Sequence, residues 1–169
     1  SILCKLMERA TSLDLSDHLM QQGLLTKNQH VFIKGKSTLT NLLESVSDWS
    51  IARDNKRSAT VIYIDFKRAF DMVSHPKLLG LLKLQAYGVT GDLLNLVTDF
   101  ISDRSQKTRV GRRLSDAKYL TSGVIQGSCL GPLLFLLYVN EIANIFDNTV
   151  EAKLYADDVK LYSCIDSTG

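Results

Sequence analysis

The sequence predicts an α+β fold in which an antiparallel sheet packs on helices. Apolar residues recur at helical spacing in four segments, 2–21, 38–55, 75–88 and 90–103. Two further segments, 59–66 and 150–163, alternate in polarity or are rich in β-branched and aromatic residues, as strands are. The 169 residues contain no repeat or linker, and their 45% hydrophobic content can bury one sizeable core. We therefore expect a single domain with a sheet layer and a helix layer.

The first half of the chain provides two helices and a strand. The segment 2–21 is followed by Gly23, a typical helix exit, and Ser37 or Thr38 can cap the next helix. The second helix carries an apolar stripe on one face, formed by Leu39, Leu42, Leu43, Val46 and Trp49. The run "ATVIYIDF" is apolar on both faces and predicts a central strand, covered on both sides and closed by Asp65.

The second half adds two helices, a hairpin, a loop that leads into a helix, and a final hairpin. The first hairpin is predicted over residues 106–120. Glycines punctuate the loop that begins at residue 122, and Pro132 suits the first turn of the helix that follows it. In "VEAKLYADDVKLYS" two alternating runs flank Asp157 and Asp158, which predicts a β-hairpin with both acids at its apex.

Composition narrows the class of protein. The longest apolar run, residues 133–139, is far shorter than the roughly 18 residues that a membrane span needs, and no signal pattern opens the chain. We expect a soluble intracellular protein without a membrane partner. The formal net charge of +2 does not by itself indicate nucleic-acid binding.

The cysteines and histidines show no pattern of a metal site. The cysteines are odd in number and lack a C-x-x-C pair, so we expect no disulfide partner and buried positions for Cys4, Cys129 and Cys164. The histidines lack metal-ligand spacing, so we expect surface or helix-end positions for His18, His30 and His75.

Basic residues are concentrated in the segment 104–118. It carries six of them against a single acid, Asp116; they are Arg104, Lys107, Arg109, Arg112, Arg113 and Lys118. In many proteins a row of charges of this kind prevents an exposed hairpin edge from pairing with another strand. Such a row also suits contacts with phosphate backbones. The segment alone favours neither interpretation.

Three aspartates stand at the ends of predicted strands. Asp65 closes the apolar strand, and Asp157 and Asp158 interrupt the final hairpin. A solvated turn is the commoner setting for two adjacent aspartates. Here, however, apolar strands flank the acids, and carboxylates in that setting are costly unless they are paired or bind a metal. Mg²⁺ binds one or two carboxylates and completes its shell with water and phosphates, so this sparse set predicts a magnesium site.

Four segments resemble motifs of reverse transcriptases from non-long-terminal-repeat (LINE-type) retrotransposons. "YADD" resembles their catalytic hairpin, and "IDFKRAFDMVSH" their first metal-binding motif. "SGVIQGSCLGPLLFLLYVNEI" is similar to the motif that positions nucleotide and template, and "QHVFIKGKSTLTNLLE" to a fingers segment. Val31 and Ile125 depart from a usual glycine and a common proline, and neither removes a catalytic group. The order and spacing are those of the family.

The resemblance implies a role for each matching residue. Asp65 and Asp157 correspond to the metal-bridging aspartates, with Asp158 as a third acid and the carbonyl of Phe66 completing the site. The nucleotide would be bound by four residues, Ala69, Phe70, Gln126 and Gly127. A ring at Phe70 would collide with a 2′-hydroxyl, although core packing is the commoner role of a lone phenylalanine. Glycine at 127 would let the backbone approach closely.

The implied activity is that of an RNA-directed DNA polymerase acting in retrotransposition. Two Mg²⁺ ions, or Mn²⁺, would join a deoxynucleoside triphosphate to the 3′-hydroxyl of a DNA primer on an RNA template. The implied fold is a polymerase palm with part of the fingers, divided at about residues 58 and 59. The family's triphosphate-binding arginine and its thumb would lie beyond the two ends, so we expect a truncated domain that extends primers poorly by itself.

Two other functions remain open from the sequence. The first is a non-catalytic, nucleic-acid-binding remnant of a mobile element. The second is a metal-dependent nuclease, since the acids alone would serve one. Gln126 and Phe70 favour nucleotide selection over the nuclease.

Overall fold

The computed structural model describes residues 2–80 and 86–166. They form two compact units, each built from two stretches of chain. The first unit comprises Ser1–Gln21 and Arg68–Tyr138, and the second comprises Gln22–Lys67 and Val139–Gly169. The described residues combine helices with antiparallel strands, so the predicted α+β class is confirmed. The division into fingers and palm near residue 58 stays a prediction.

The described residues contain five α-helices and seven strands. The helices are α1 (Ile2–Gln21), α2 (Thr38–Asp54), α3 (His75–Leu79), α4 (Gly91–Ile101) and α5 (Gly131–Val139). The strands are β1 (Arg57–Asp65), β2 (Ser105–Gln106), β3 (Arg109–Val110), β4 (Arg113–Leu114), β5 (Lys118–Tyr119), β6 (Glu151–Tyr155) and β7 (Asp158–Asp166). Two 3-10 helices span Ala69–Met72 and Asn140–Asn144. The helix predicted over residues 75–88 ends at Leu79, and part of its range, residues 81–85, lies outside the described residues.

An antiparallel sheet with the order β1-β7-β6 forms the second unit. Its register pairs Arg57 with Asp166 at one end of the β1–β7 ladder and Asp65 with Asp158 at the other. One face carries the buried apolar side chains Ala152, Leu154, Val159 and Leu161, which pack against Ile142, Ala143 and Phe146. The opposite face meets α2 through polar contacts. The sheet therefore has one apolar and one polar interior face.

Strand β1 lies at an edge of this sheet. The sequence predicted a central strand covered on both sides, and that prediction is wrong, because among the described residues β1 pairs only with β7 and most of its residues are exposed. Ile62 and Tyr63 are 54% and 72% exposed. An apolar run on both faces is typical of a central strand, yet the number of neighbours depends on residues distant in sequence.

Helix α2 begins at a capping box and turns its polar side to the sheet. Ser37 accepts a hydrogen bond from the backbone of Thr40, whose side chain in turn accepts one from the backbone of Ser37. The leucines of the predicted apolar stripe are exposed. The polar residues Asn41, Glu44 and Asp48 contact the sheet. Of the predicted stripe, Trp49 also contacts it, with its ring edge-on to that of Tyr162.

Apolar helices form the core of the first unit. α5 is buried along most of its length, and Leu15 and Leu19 of α1 and Val97 and Ile101 of α4 are also buried. The hairpin predicted over residues 106–120 is present as two short ladders, β2 with β5 and β3 with β4. Cys4 and Cys129 are exposed and Cys164 is half-buried, contrary to expectation. Within the part of the chain that the structure describes, no helix is long and apolar enough to cross a membrane.

Candidate active site

Two of the predicted catalytic acids lie opposite each other in the second unit. β1 ends at Asp65, β7 begins at Asp158, and the antiparallel register makes them direct partners. Residues opposite each other in such a ladder have Cα atoms about 4.5–5.5 Å apart and side chains on the same face. Both residues are exposed. The structure therefore brings two carboxylates together at one end of the β1–β7 ladder.

Asp157 lies in the loop between β6 and β7. The sequence predicted both acids at the apex, but the two loop residues are Ala156 and Asp157, and Asp158 already belongs to β7. Ala156 has a φ of 55°, a left-handed conformation that costs a residue other than glycine roughly 1–2 kcal/mol. Such strain persists only where surrounding contacts impose it. The backbone directly before half-buried Asp157 is therefore held from outside the loop.

A cavity of about 460 Å³ borders the acid pair. Its lining includes Asp65, Asp158, Lys153 and Lys160, but not Asp157. Across residues 2–80 and 86–166, no three His, Cys, Asp or Glu side chains are grouped as metal ligands. Two carboxylates on one face nevertheless suit Mg²⁺, which takes one or two and fills its other positions with water and substrate oxygens. The two carboxylates would suit a magnesium ion that takes few ligands from the protein.

Two buried lysines lie next to the acid pair on the same face of the sheet. Lys153 and Lys160 are cross-strand partners, a placement that destabilises like charges unless other groups compensate them. Lys153 donates a hydrogen bond to Glu44, and Lys160 donates one to Asn41, each at 2.9 Å. The Lys160 ammonium also lies 5.6 Å from the centroid of the Trp49 ring. Burial and the charge of Lys153 lower the pKa of Lys160.

His30 is completely buried, at 0% exposure, contrary to the surface position expected. Its Nδ1 lies 2.9 Å from Thr40 Oγ1, and its Nε2 lies 3.4 Å from Glu44 Oε2 without a hydrogen bond. Burial lowers the pKa of His30, and the charge of Lys36 lowers it further, against the opposing effect of Glu44. Burial would by itself raise the pKa of Glu44, but the hydrogen bond from Lys153 and nearby positive charges lower it.

The predicted nucleotide-binding residues lie in the first unit. Ala69 and Phe70 are half-buried in the 3-10 helix Ala69–Met72. The Phe70 ring stacks on Phe135 of α5, with centroids 4.1 Å apart and planes 14° apart. This contact is the packing role that the sequence also allowed for Phe70. Stacking fixes the ring in place and leaves its role in nucleotide selection a prediction.

The glycine-rich loop before α5 is bonded to the segment that carries Phe70. Val124 donates a backbone hydrogen bond to Phe70, and Gly123 donates one to Val73, at 2.9 and 2.8 Å. A Cβ at Gly123 would lie 3.1 Å from the Asp71 backbone, so the close approach requires glycine. The side-chain amide of Gln126 donates to Asp71 Oδ1 at 3.1 Å. These bonds fix Gln126 relative to Phe70.

The basic hairpin, formed by residues 104–119, is exposed along its length. Its five predicted backbone-contacting residues, Arg104, Lys107, Arg109, Arg112 and Arg113, all have exposed side chains. At its base, Arg104 and Lys118 line a cavity of about 810 Å³ together with Arg68, Asp71 and Gln126. Arg68 and Asp71 were not among the predicted site residues, although both belong to the motif that contains Phe70. Their proximity to Phe70 in sequence was the signal available.

The predicted site residues are thus divided between the two units. Asp65, Phe66, Asp157 and Asp158 belong to the second, and Ala69, Phe70, Gln126, Gly127 and the basic hairpin belong to the first. Phe66 directly follows β1, and Gly127 has a φ of 80°.

Comparison with known proteins identifies the family. Residues 1–168 match the family model described as reverse transcriptase (RNA-dependent DNA polymerase). The chain belongs to the reverse transcriptase family. A probable RNA-directed DNA polymerase from transposon BS of Drosophila melanogaster is 30% identical over 171 residues, covering 95% of this chain and 18% of that protein. The Pol polyprotein of retrotransposable element R2 from Popillia japonica is 28% identical and covers 95% of this chain and 22% of its own length.

These relatives confirm the resemblance to retrotransposon reverse transcriptases. A solved telomerase structure from Candida albicans, in complex with the TWJ fragment of telomeric RNA, has a similar fold. Its TM-score is 0.62 at 14% identity, and the match covers 92% of this reverse transcriptase chain and 30% of the telomerase chain. The chain therefore spans less than a third of each of these relatives.

The buried His30 predicts that the second unit loses stability in acid. A folded-state pKa below the ordinary value means that the unfolded chain binds the proton more readily. The contribution of His30 to the unfolding free energy is fully present above about pH 6.5. It is lost as the pH falls through the folded-state pKa, by at most roughly 1.4 kcal/mol per pH unit. The charged groups around the ring are Lys36, Glu44, Lys153 and Lys160.

Urea unfolding between pH 7.5 and 5 measures this effect. His30→Gln should make the unfolding free energy less dependent on pH than in the wild type, because it removes the group that binds the extra proton in the unfolded chain. Equal slopes for wild type and His30→Gln would contradict the assignment.

Proposed function

We propose that this chain provides the catalytic residues of a retrotransposon RNA-directed DNA polymerase. The observation that supports this most is the opposition of Asp65 and Asp158 across β1 and β7, with Asp157 in the adjoining loop. Membership of the reverse transcriptase family narrows the chemistry to nucleotidyl transfer. The substrates would be a DNA primer, an RNA template and deoxynucleoside triphosphates.

The acid residues would hold two Mg²⁺ ions, for which Mn²⁺ could substitute. Asp65 and Asp157 would bind them, with Asp158 as a third acid and the Phe66 carbonyl as a further ligand. Bound ions would activate the primer hydroxyl and neutralise the charge that develops on the phosphate. Asp158, and not Asp157, is the acid opposite Asp65. Substituting Asp157 and Asp158 one at a time would therefore show how much each contributes to metal binding.

The first unit would select the nucleotide. The carboxylate of Asp71 only accepts hydrogen bonds, so the nitrogen of Gln126 faces it and the amide oxygen is directed elsewhere. Gln126 can thus offer an acceptor to a hydroxyl or amino group of the nucleotide. Phe70, fixed by Phe135, would exclude a 2′-hydroxyl, and Ala69 and Gly127 would leave room for the sugar and for close backbone approach.

The basic hairpin would contact the phosphate backbones of template and primer. Its cationic side chains are exposed, and phosphate contacts contribute affinity without reading sequence. The same hairpin is the observation that favours a non-catalytic nucleic-acid-binding protein, because such binding requires none of the acids. Substitution of the acids separates the two functions.

The first prediction concerns the acids. In the complete natural polypeptide that carries this sequence, Asp65→Asn or Asp157→Asn should lower kcat for primer extension on RNA by about 10²–10³-fold or more, because charge development on the phosphate loses its stabilisation. Affinity for the primed template should be retained. Asp14→Asn, at an exposed position of α1, is the matched control. Full activity of Asp157→Asn would contradict the proposal. If the wild-type protein bound the primed template but did not extend the primer, the non-catalytic function would be favoured.

The second prediction concerns sugar selection. Phe70→Ala should raise the ratio of kcat/KM for ribonucleotides to that for deoxyribonucleotides by roughly tenfold or more, the scale of a change of 1–2 kcal/mol in transition-state binding. Phe135→Leu removes the stacking partner and keeps the ring, so it should change the ratio much less. An equal change in both variants would leave Phe70 with a packing role only.

The third prediction concerns the basic hairpin. Changing Arg109, Arg112 and Arg113 to Glu should weaken binding to all primed templates about equally, and should reduce the slope of log K against log salt by about 2–3. A matched triple change at Lys5, Arg9 and Arg53, which are exposed elsewhere, should have a smaller effect. An unchanged slope would support the interpretation of a solvated hairpin edge.

A further inference from the structure

The side chain of Gln29 is bonded to the hairpin loop that carries Asp157. Gln29 is only 3% exposed, and its Oε1 accepts three backbone N–H groups. The donors are Val31 at 3.2 Å, Ala156 at 3.1 Å and His30 at 3.0 Å, and the His30 N–H is shared with the carbonyl of Leu154. Because every partner is a donor, the oxygen of the amide, and not its nitrogen, faces them.

The backbone around Gln29 is itself attached to β6. Gln29 forms a parallel bridge with Leu154. On either side of it, Leu154 donates a hydrogen bond to the carbonyl of Asn28 at 2.8 Å, and His30 donates one to the carbonyl of Leu154 at 3.0 Å. The side chain of Asn41 donates to the same Leu154 carbonyl at 3.2 Å. Gln29 therefore has a fixed position relative to the hairpin.

The Ala156 N–H is the loop donor that most needs this acceptor. Ala156 is buried and has a left-handed φ of 55°, and a buried backbone N–H without a partner is rarely tolerated. Without the Gln29 oxygen, the loop would gain by changing its turn conformation so that the N–H reaches another acceptor. Ala156 is joined to Asp157 by one peptide bond, so a changed turn would redirect the Asp157 carboxylate.

We infer that Gln29 is a positioning residue for Asp157. It holds Ala156 in the conformation that aims the Asp157 carboxylate, and it need not touch metal or substrate. The inference rests on the proposed role of Asp157 in metal binding. It adds a requirement for an oxygen acceptor at position 29.

Amide hydrogen exchange tests the contact independently of metal binding and activity. In Gln29→Met, which has similar length and no comparable acceptor, protection of the Ala156 amide should fall by about tenfold or more, while amides of the β1–β7 ladder keep theirs. Gln29→Glu, which retains an oxygen, should restore protection. Gln22→Met, the same change at an exposed glutamine, should have no effect. Unchanged protection of Ala156 in Gln29→Met would overturn the inference.

Metal affinity and kinetics test the consequence for Asp157. Mn²⁺ binding, followed by electron paramagnetic resonance, should weaken about tenfold in Gln29→Met and recover in Gln29→Glu. In the complete natural polypeptide, kcat for primer extension should fall about 10²-fold with KM for the nucleotide unchanged, because the reacting groups are misplaced rather than lost. A purely structural glutamine would lower the amount of folded protein and leave these quantities unchanged.

Asp157→Asn separates failure of this inference from failure of the proposed function. If Asp157→Asn leaves Mn²⁺ affinity unchanged, the proposed role of Asp157 in metal binding is wrong. If Asp157→Asn weakens Mn²⁺ binding and Gln29→Met does not, the positioning role of Gln29 is wrong and the metal site stands. If Gln29→Met loses amide protection throughout the β1–β7 ladder, Gln29→Asn is tested in its place. Asparagine is polar but too short to reach Ala156, so the same results are expected.

Discussion

The antiparallel register between β1 and β7 is the constraint on which the candidate site depends. Nine residue pairs, from Arg57 with Asp166 to Asp65 with Asp158, fix the position of the two acids. If the hairpin slipped by one residue along β1, its two lysines and Tyr162 would face the apolar core. The apolar residues of the hairpin would then be exposed. The apolar alternation of β6 and β7 thus determines which face of the hairpin is buried, and the β1–β7 register determines which carboxylates meet.

The polar face of the sheet determines how α2 packs. Two buried lysines and Tyr162 require partners, and α2 supplies Glu44 and Asn41 for the lysines and Asp48 as acceptor for the Tyr162 hydroxyl. Burial and the bond to Asp48 raise the pKa of Tyr162 well above its ordinary value, so the hydroxyl stays protonated and remains a donor. Satisfied polar groups of this kind favour one docking of a helix over others, because any rotation of α2 would leave a buried charge without a partner.

Local features were predictable from the sequence, and features set by distant partners were not. The final hairpin and the capped start of α2 depend on neighbouring residues, and both were predicted. The edge position of β1 and the exposed leucines of α2 were not, because apolar character does not reveal how many neighbours a segment has. Gln29 was missed because Ala156, a hydrogen-bond partner of its side chain, lies 127 positions away in sequence.

In each unit a glutamine amide is bonded to a loop or turn that carries predicted site residues. In the second unit the oxygen of Gln29 accepts from Ala156, whose φ is 55°. In the first unit the nitrogen of Gln126 donates to Asp71, next to Gly123, whose φ is 92°. A left-handed conformation lets a tight loop present a functional group. It is free of steric cost for Gly123, whereas Ala156 requires surrounding contacts to maintain it. Within each unit, the positions of the predicted site residues therefore depend on a side chain that was not itself predicted: Gln29 in the second unit and Asp71 in the first.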